Sequence, residues 1–375
     1  MKKKVALSAV LLYLLCSCSY RQQVPADNIG DTLKLKYAEN ITIVRNDSCT
    51  MVVLKNPWKA GEVLHTYWLV QRGNSLPQQL EGTGADVVSV PLQKAVVFNT
   101  AHAWLTITLG ALTQVRGVAD LRFMQLPAVR QRVQSGLTAD CGDAMSPNIE
   151  QIIDIGADAI LLSPFENSGG YGRLEKLGIP LIECADYMET SPLARAEWMR
   201  FYGRLFGVGA NADSLFTQVQ NNYQNLCDLA AKTPLRPRVM LDTKSGSAWY
   251  VAGGNSTIGQ MISDAGGIYI FGENKNSGSV PLSFETVFEK AQDADVWLLK
   301  NSSSNPLTYR MLESDFKQYS SFKPFKEKNI WVCDVYQVPY FELTAFHPEI
   351  LLADFMSIFH PEFSHARSFY HPLDE

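Results

Sequence analysis

Between residues 209 and 232, apolar side chains fall at Ala212, Leu215, Phe216, Val219, Tyr223, Leu226, Leu229 and Ala230. That i, i+3, i+4, i+7 spacing lays one apolar stripe along one face and predicts a helix over the whole stretch. Asn211 is placed to cap its start. Thr233-Pro234 stops its end, because proline lacks the N–H and restricts the residue before it. On both sides the pattern changes to short apolar runs alternating with helical periods. Upstream, strands are expected at 95–98, 115–118, 159–162 and 181–183, with helices at 103–109, 149–155 and 171–177. A further helix opens at Ser191-Pro192, carries Trp198, Phe201, Tyr202, Leu205 and Phe206 on one face, and breaks at Gly207 and Gly209. Downstream, strands at 239–241, 296–299 and 330–333 alternate with helices at 257–265, 283–290, 308–316 and 349–359. Strands separated by helices imply a mostly parallel sheet. The expected fold class is therefore α/β, with two lobes joined by one long rigid helix.

Residues 33–92 read differently. ITIV, TMVVLK, HTYWLVQR and DVVSVPL are β-rich runs punctuated by Asn-Asp, Asn-Pro and Gly-Asn-Ser. They imply a small β-rich extension or an irregular arm packed on the first lobe. The expected division is 1–18 leader, 19–92 tether and extension, 93–208 first lobe, 209–233 connecting helix and 234–375 second lobe. The lobes also echo one another. Asn148-Ile149-Glu150 leads into GADAILL, and Ser283-Phe284-Glu285 leads into DADVWLL.

Composition adds an address. Lys2, Lys3 and Lys4 precede an apolar run over 5–15, too short to span a bilayer and fitting a secretory leader. Leu15-Cys16-Ser17-Cys18 has the apolar, small, cysteine order of a lipidation signal, with Cys18 the expected acylated residue and the mature chain tethered by lipid to a membrane of the cell envelope. Apart from the leader's lysines there is no basic block, and the net charge is −5, so nucleic acid is not an expected partner. Cys49, Cys141, Cys184, Cys227 and Cys333 are scattered, with no Cys-x-x-Cys and no zinc-ligand spacing.

Hydrolase, P-loop and His-Glu-x-x-His patterns are absent. Gly253-Gly254 and Gly266-Gly267 read as turns. Ligands of open α/β sheets bind beyond the carboxyl ends of the strands, and several residues fall there. They are His102, Arg122-Phe123, Trp249-Tyr250, and Tyr336, Tyr340 and Phe341. Aromatic faces suit a large flat or apolar ligand, and an arginine suits a carboxylate or oxygen-rich anion. The same residues would equally serve as core aromatics or a surface ion pair.

Several blocks, taken in order, carry a family resemblance. AVVFNTAHAWLTITLGALTQVRGVAD (95–120), SPNIEQIIDIGADAILLS (146–163) and GRLEKLGIPLIE (172–183) are followed by STIGQMISDAGGIYIF (256–271) and LSFETVFEKAQDADVWLL (282–299). Together they resemble the periplasmic substrate-binding proteins for iron–siderophore, heme and vitamin B12, over 95–359. The resemblance implies two Rossmann-like lobes on a rigid helix, one ligand in the cleft, no chemistry, no cofactor, and a monomer. It implies delivery to an ABC permease and ATPase, docked through one glutamate per lobe, here Glu150 and Glu285. Cobalamin binders of the family carry a tryptophan shortly before the first of these, and residues 141–145 have none. Heme binders ligate iron through Tyr or His; Tyr171, Tyr250 and His102 are available but match no identifying motif. A ferric siderophore is the expected ligand, with heme or cobalamin the alternatives. Readings of another class are a tetrapyrrole- or siderophore-processing enzyme and a sensory or adhesive lipoprotein.

Overall fold

The computed structural model describes residues 31–166 and 170–375. The leader and Cys18 lie outside the described residues. The first unit is a five-stranded sheet of β1 (Asp31–Leu33), β2 (Ile41–Arg45), β3 (Cys49–Lys55), β4 (Val63–Gln71) and β5 (Asp86–Val90) in sequential order. It is antiparallel except for β4 and β5, which run parallel. Alternation gives it two apolar faces. Ile41, Ile43, Val52, Leu54, Tyr67 and Leu69 join the main core, while Val44, Met51, Trp68 and Val70 pack under the 76–85 segment. The extension is thus a sheet built onto the lobe, not an irregular arm.

The first lobe contains β6 (Ala95–Val97), α1 (Thr100–Thr108), β7 (Val115–Val118), α2 (Pro127–Gln134), β8 (Ala139–Asp140), a hairpin of β9 (Gly142–Asp143) and β10 (Ser146–Pro147), α3 (Ile149–Ile155), β11 (Ala159–Leu162) and β12 (Leu181–Glu183). Its sheet is parallel, in the order β12-β11-β6-β7-β8. The expected helix at 171–177 shortens to a 3-10 turn at Leu174–Leu177 between left-handed Gly172 and Gly178. The aromatic-faced helix is two pieces, α4 (Pro192–Glu197), capped by Ser191, and α5 (Met199–Leu205).

The connecting helix is α6 (Gly209–Ala230), and its 22 residues reach about 33 Å at 1.5 Å per residue. It starts before Asn211, which lies inside it and caps nothing; Asp213 in its first turns is instead gripped by Arg200 and Arg204 of α5. The close approach explains Gly203, where a Cβ would sit 2.4 Å from that of Ala212. At the far end Tyr223 donates to Asp264 at 2.7 Å.

The second lobe holds β13 (Arg238–Leu241), β14 (Lys244–Ser245), β15 (Ala248–Ala252), α7 (Thr257–Asp264), β16 (Ile268–Tyr269), β17 (Ser279–Leu282), α8 (Phe284–Ala291), β18 (Val296–Asn301), α9 (Tyr309–Asp315), α10 (Lys323–Lys326), β19 (Ile330–Asp334), α11 (Tyr340–Leu343), α12 (Pro348–Phe359) and β20 (Tyr370–Pro372). The main sheet runs β16-β13-β18-β19-β20, antiparallel only at the β20 edge. In each lobe the first strand, β6 or β13, lies between the second, β7 or β16, and a later strand, β11 or β18, whose other side carries β12 or β19; β8, beside β7, and β20, beside β19, are added edges. The lobes therefore share a four-strand core order, and α3 and α8 occupy equivalent places directly ahead of β11 and β18.

Candidate functional site

The carboxyl ends of β6, β7 and β11 open into a cavity of about 580 Å³ in the first lobe. Phe98, Met145, Leu162 and Phe165 supply apolar walls; Asn99, Asp120, Ser163, Tyr171 and Arg173 supply polar groups. This is the crevice position that parallel α/β sheets reserve for ligands. The local structure follows from the residues. Asn99, two residues past β6, caps α1 by accepting from the Ala101 amide at 2.8 Å. Asp120 holds φ 53, a left-handed conformation that Asp tolerates better than most residues, and so turns the chain sharply after β7. Tyr187 donates to the Pro164 carbonyl and pins one wall.

On the second lobe, the carboxyl ends of β13 and β18 carry Asp242, also left-handed at φ 53, and Lys300. The Lys300 ammonium lies 2.8 Å from an Asp242 carboxylate oxygen. Burial is the largest influence and pulls its pKa down, but the Asp242 charge and hydrogen bond together with Tyr340 and Cys333 outweigh it and raise the pKa, so it is a cation at neutral pH. The lobes touch at Glu342 of α11, where one buried oxygen accepts from the Thr100 hydroxyl at 3.0 Å and the Gln125 amide at 3.2 Å. Among the described residues, no group of three or more His, Cys, Asp or Glu is placed to hold a metal ion.

The residues named from sequence divide sharply. Tyr250 and Tyr336 are exposed, at 51% and 43%. Arg122 is exposed; its guanidinium pairs with Asp143 at 2.8 Å and covers the Phe123 ring at 4.6 Å. Arg122 and Phe123 flank the cavity through the Asp120 turn but are not among its lining residues. Three placements need correcting. Trp249 is fully buried, donates to the Leu241 carbonyl at 3.1 Å and stacks on Trp297 in the second-lobe core. The reason is strand alternation: on β15 Trp249 points inward and Tyr250 outward. His102 lies on the inner face of α1, bonded to Asp186 at 2.7 Å and packed on Tyr202 and Phe346. Burial opposes the Asp186 charge, but His102, Arg195 and Tyr202 hold its pKa at about 2. Tyr340 is buried against Phe341 and Phe369. Sequence reading missed Asp120, Met145, Phe165 and Arg173, which carry no periodic signal. Glu150 and Glu285 are both exposed, each two residues past a capping side chain, with Asn148 bonding the Gln151 amide and Ser283 the Thr286 amide.

A family described as periplasmic binding protein matches residues 95–335. The chain belongs to that family, whose members are substrate-binding proteins of transport rather than enzymes. An uncharacterised lipoprotein of Methanocaldococcus jannaschii is 24% identical over 361 residues, covering 90% of this chain and 84% of its own. A cobalamin-binding protein of Halobacterium salinarum is 29% identical over 206 residues, covering 54% of this chain and 53% of its own. Among solved structures, a periplasmic heme-binding protein from Pseudomonas aeruginosa superposes with a TM-score of 0.58 at 16% identity, covering 76% of this chain and 98% of that one. An ABC-type Fe3+-hydroxamate transport system from Saccharomonospora viridis gives 0.56 at 17%, covering 72% of this chain and 94% of that one. At these identities the solved structures establish the two-lobed fold. Family and lipoprotein relatives together indicate a cell-envelope location. Among the described residues no helix is long and apolar enough to cross a membrane.

Proposed function

We propose that this protein is the lipid-anchored binding component of an ABC importer, holding a ferric siderophore between its lobes and delivering it to the permease and its ATPase. The observation that carries the reading is the pairing of the crevice with two equivalent helices. Exposed Glu150 and Glu285 sit at the same position of α3 and α8, one on each lobe. Two carboxylates on separate lobes suit two arginine-bearing permease subunits. The mixed apolar and polar cavity, with Arg173 as a cation on its wall, suits an anionic, partly aromatic iron complex. Cobalamin is the second reading, favoured by the Halobacterium relative. The siderophore is cargo, and Cys18 is the proposed acylated residue.

The test is titration of the mature chain with a ferric trihydroxamate, hemin and cyanocobalamin. A dissociation constant below about 10 μM for the trihydroxamate supports the reading. Tighter binding of hemin or cyanocobalamin moves the assignment to that ligand, and failure of all three refutes uptake. Reversing Glu150 and Glu285 to Arg is expected to abolish uptake while leaving affinity unchanged. Lost affinity would place them in the binding site instead.

A further inference from the structure

The N-terminal sheet has no part in the reading above, yet its contacts lead directly to the cavity. It lies against β12, the edge strand of the first-lobe sheet. An open edge exposes unpaired amides and carbonyls. Tyr67 of β4 closes this one with a side chain: its hydroxyl donates to the Leu181 carbonyl and accepts from the Glu183 amide, both at 2.9 Å. Two residues earlier on the same strand face, the His65 ring stacks on Tyr67 with centroids 4.3 Å apart. Its Nδ1 is 3.0 Å from one Glu183 oxygen, and its Nε2 is 3.0 Å from Asp86. The other Glu183 oxygen accepts from the Tyr171 hydroxyl at 2.6 Å.

Tyr171 is the junction. It lines the 580 Å³ cavity, and it also lines a second hollow of about 500 Å³ beneath the extension, shared with His65, Asp86, Glu175 and Glu183. Its neighbours Gly170 and Gly172 both hold positive φ, at 94 and 59. The Tyr171 backbone amide donates to Glu175 and its ring packs against the first-lobe core, so what its tip bonds sets the remaining orientation of the ring. Among the described residues that tip donates to Glu183, and Glu183 is oriented from the extension. Removing His65 takes away the donor that orients one Glu183 oxygen from the extension side, and the carboxylate can then turn away from the Tyr171 hydroxyl.

We propose that His65, acting through Glu183, is a positioning residue for Tyr171, which makes the N-terminal sheet part of the ligand site and a determinant of its specificity. The proposal rests on the cavity being the ligand site. The test compares His65→Ala, Tyr171→Phe and the double variant, with the ferric trihydroxamate, hemin or cyanocobalamin that the wild type binds. Each single variant is expected to weaken that probe roughly tenfold, the worth of one lost anchoring hydrogen bond. The double variant is expected to be no worse than either, because the residues act as one unit. Additive losses, or no loss with Tyr171→Phe, would overturn the proposal.

Amide exchange gives a readout that needs no ligand. Residues 170–178 should exchange faster in both single variants while strands 41–55 keep wild-type protection. If His65→Ala also exposes strands 41–55, the histidine only holds the extension down and the proposal fails. If the wild type binds no probe, the transport reading falls, and the exchange data still decide whether His65 positions Tyr171.

Discussion

Glu197 offers the most direct test of how the extension is held. The carboxylate is fully buried at the end of α4. One oxygen accepts from the Lys36 amide at 3.0 Å; the other accepts from Tyr37 at 2.8 Å and Ala38 at 2.9 Å. Arg200 approaches the first oxygen at 3.3 Å. The next two amides, Glu39 and Asn40, turn to Glu189, so two acidic side chains take five successive backbone donors. Replacing Glu197 by Gln keeps the shape and removes one acceptor. Whichever way the amide lies, its NH2 faces a backbone N–H. A hydrogen bond to a charged group contributes about 1.5–3 kcal/mol, so Glu197→Gln should cost about 2–4 kcal/mol. Glu197→Ala strands all three donors, and its cost is capped only by release of the whole extension. For a unit of this size, about 3 kcal/mol corresponds to a fall of about 6–12 °C in Tm. Calorimetry reads the shift, and limited proteolysis within 31–60 reads detachment. A fall of less than about 2 °C for Glu197→Ala would show that these amides are satisfied without the carboxylate, and would refute the reasoning.

The other tests concern charge and lobe contact. Burial opposes protonation of His65, but its hydrogen bonds to Asp86 and Glu183 prevail and raise its pKa from 6.5 to about 9. A raised pKa stabilises the fold fully below the unfolded value near 6.5, and that stability is lost as pH rises through 9. Unfolding free energies from urea titrations should therefore drop between pH 7 and 10 by up to about 3 kcal/mol, and His65→Gln should flatten that slope; an equal slope in both proteins would sink the assignment. At the lobe contact, Glu342→Ala removes the acceptor of the Thr100 and Gln125 donors. Dissociation of bound ligand, followed by stopped flow, should speed up about tenfold, and an unchanged rate would mean that this contact does not restrain the lobes.

Much of the frame was legible in the chain because the controlling signals are local. The period of 209–232 dictates one amphipathic helix wherever its ends go, and Asn148 and Ser283 cap α3 and α8 from one residue away. Strand alternation was equally local, but it does not say which face is inside. Trp249 and Tyr250 are adjacent, and only packing against Trp297, Tyr319 and Phe322 sends the first into the core and leaves the second exposed. His102 read as crevice-facing because its partner Asp186 lies 84 positions away.

The amino-acid order alone thus determined the two α/β lobes, the connecting helix and the paired glutamates, because each follows from residues within a turn or two of one another. The tertiary structure decided which side chains line the cavity and how the extension meets it. His65 and Glu183 are 118 positions apart, and Lys36 and Glu197 are 161 apart. Such contacts depend on where whole elements come to rest, a matter of burial and hydrogen-bond satisfaction across the fold that no local spacing records.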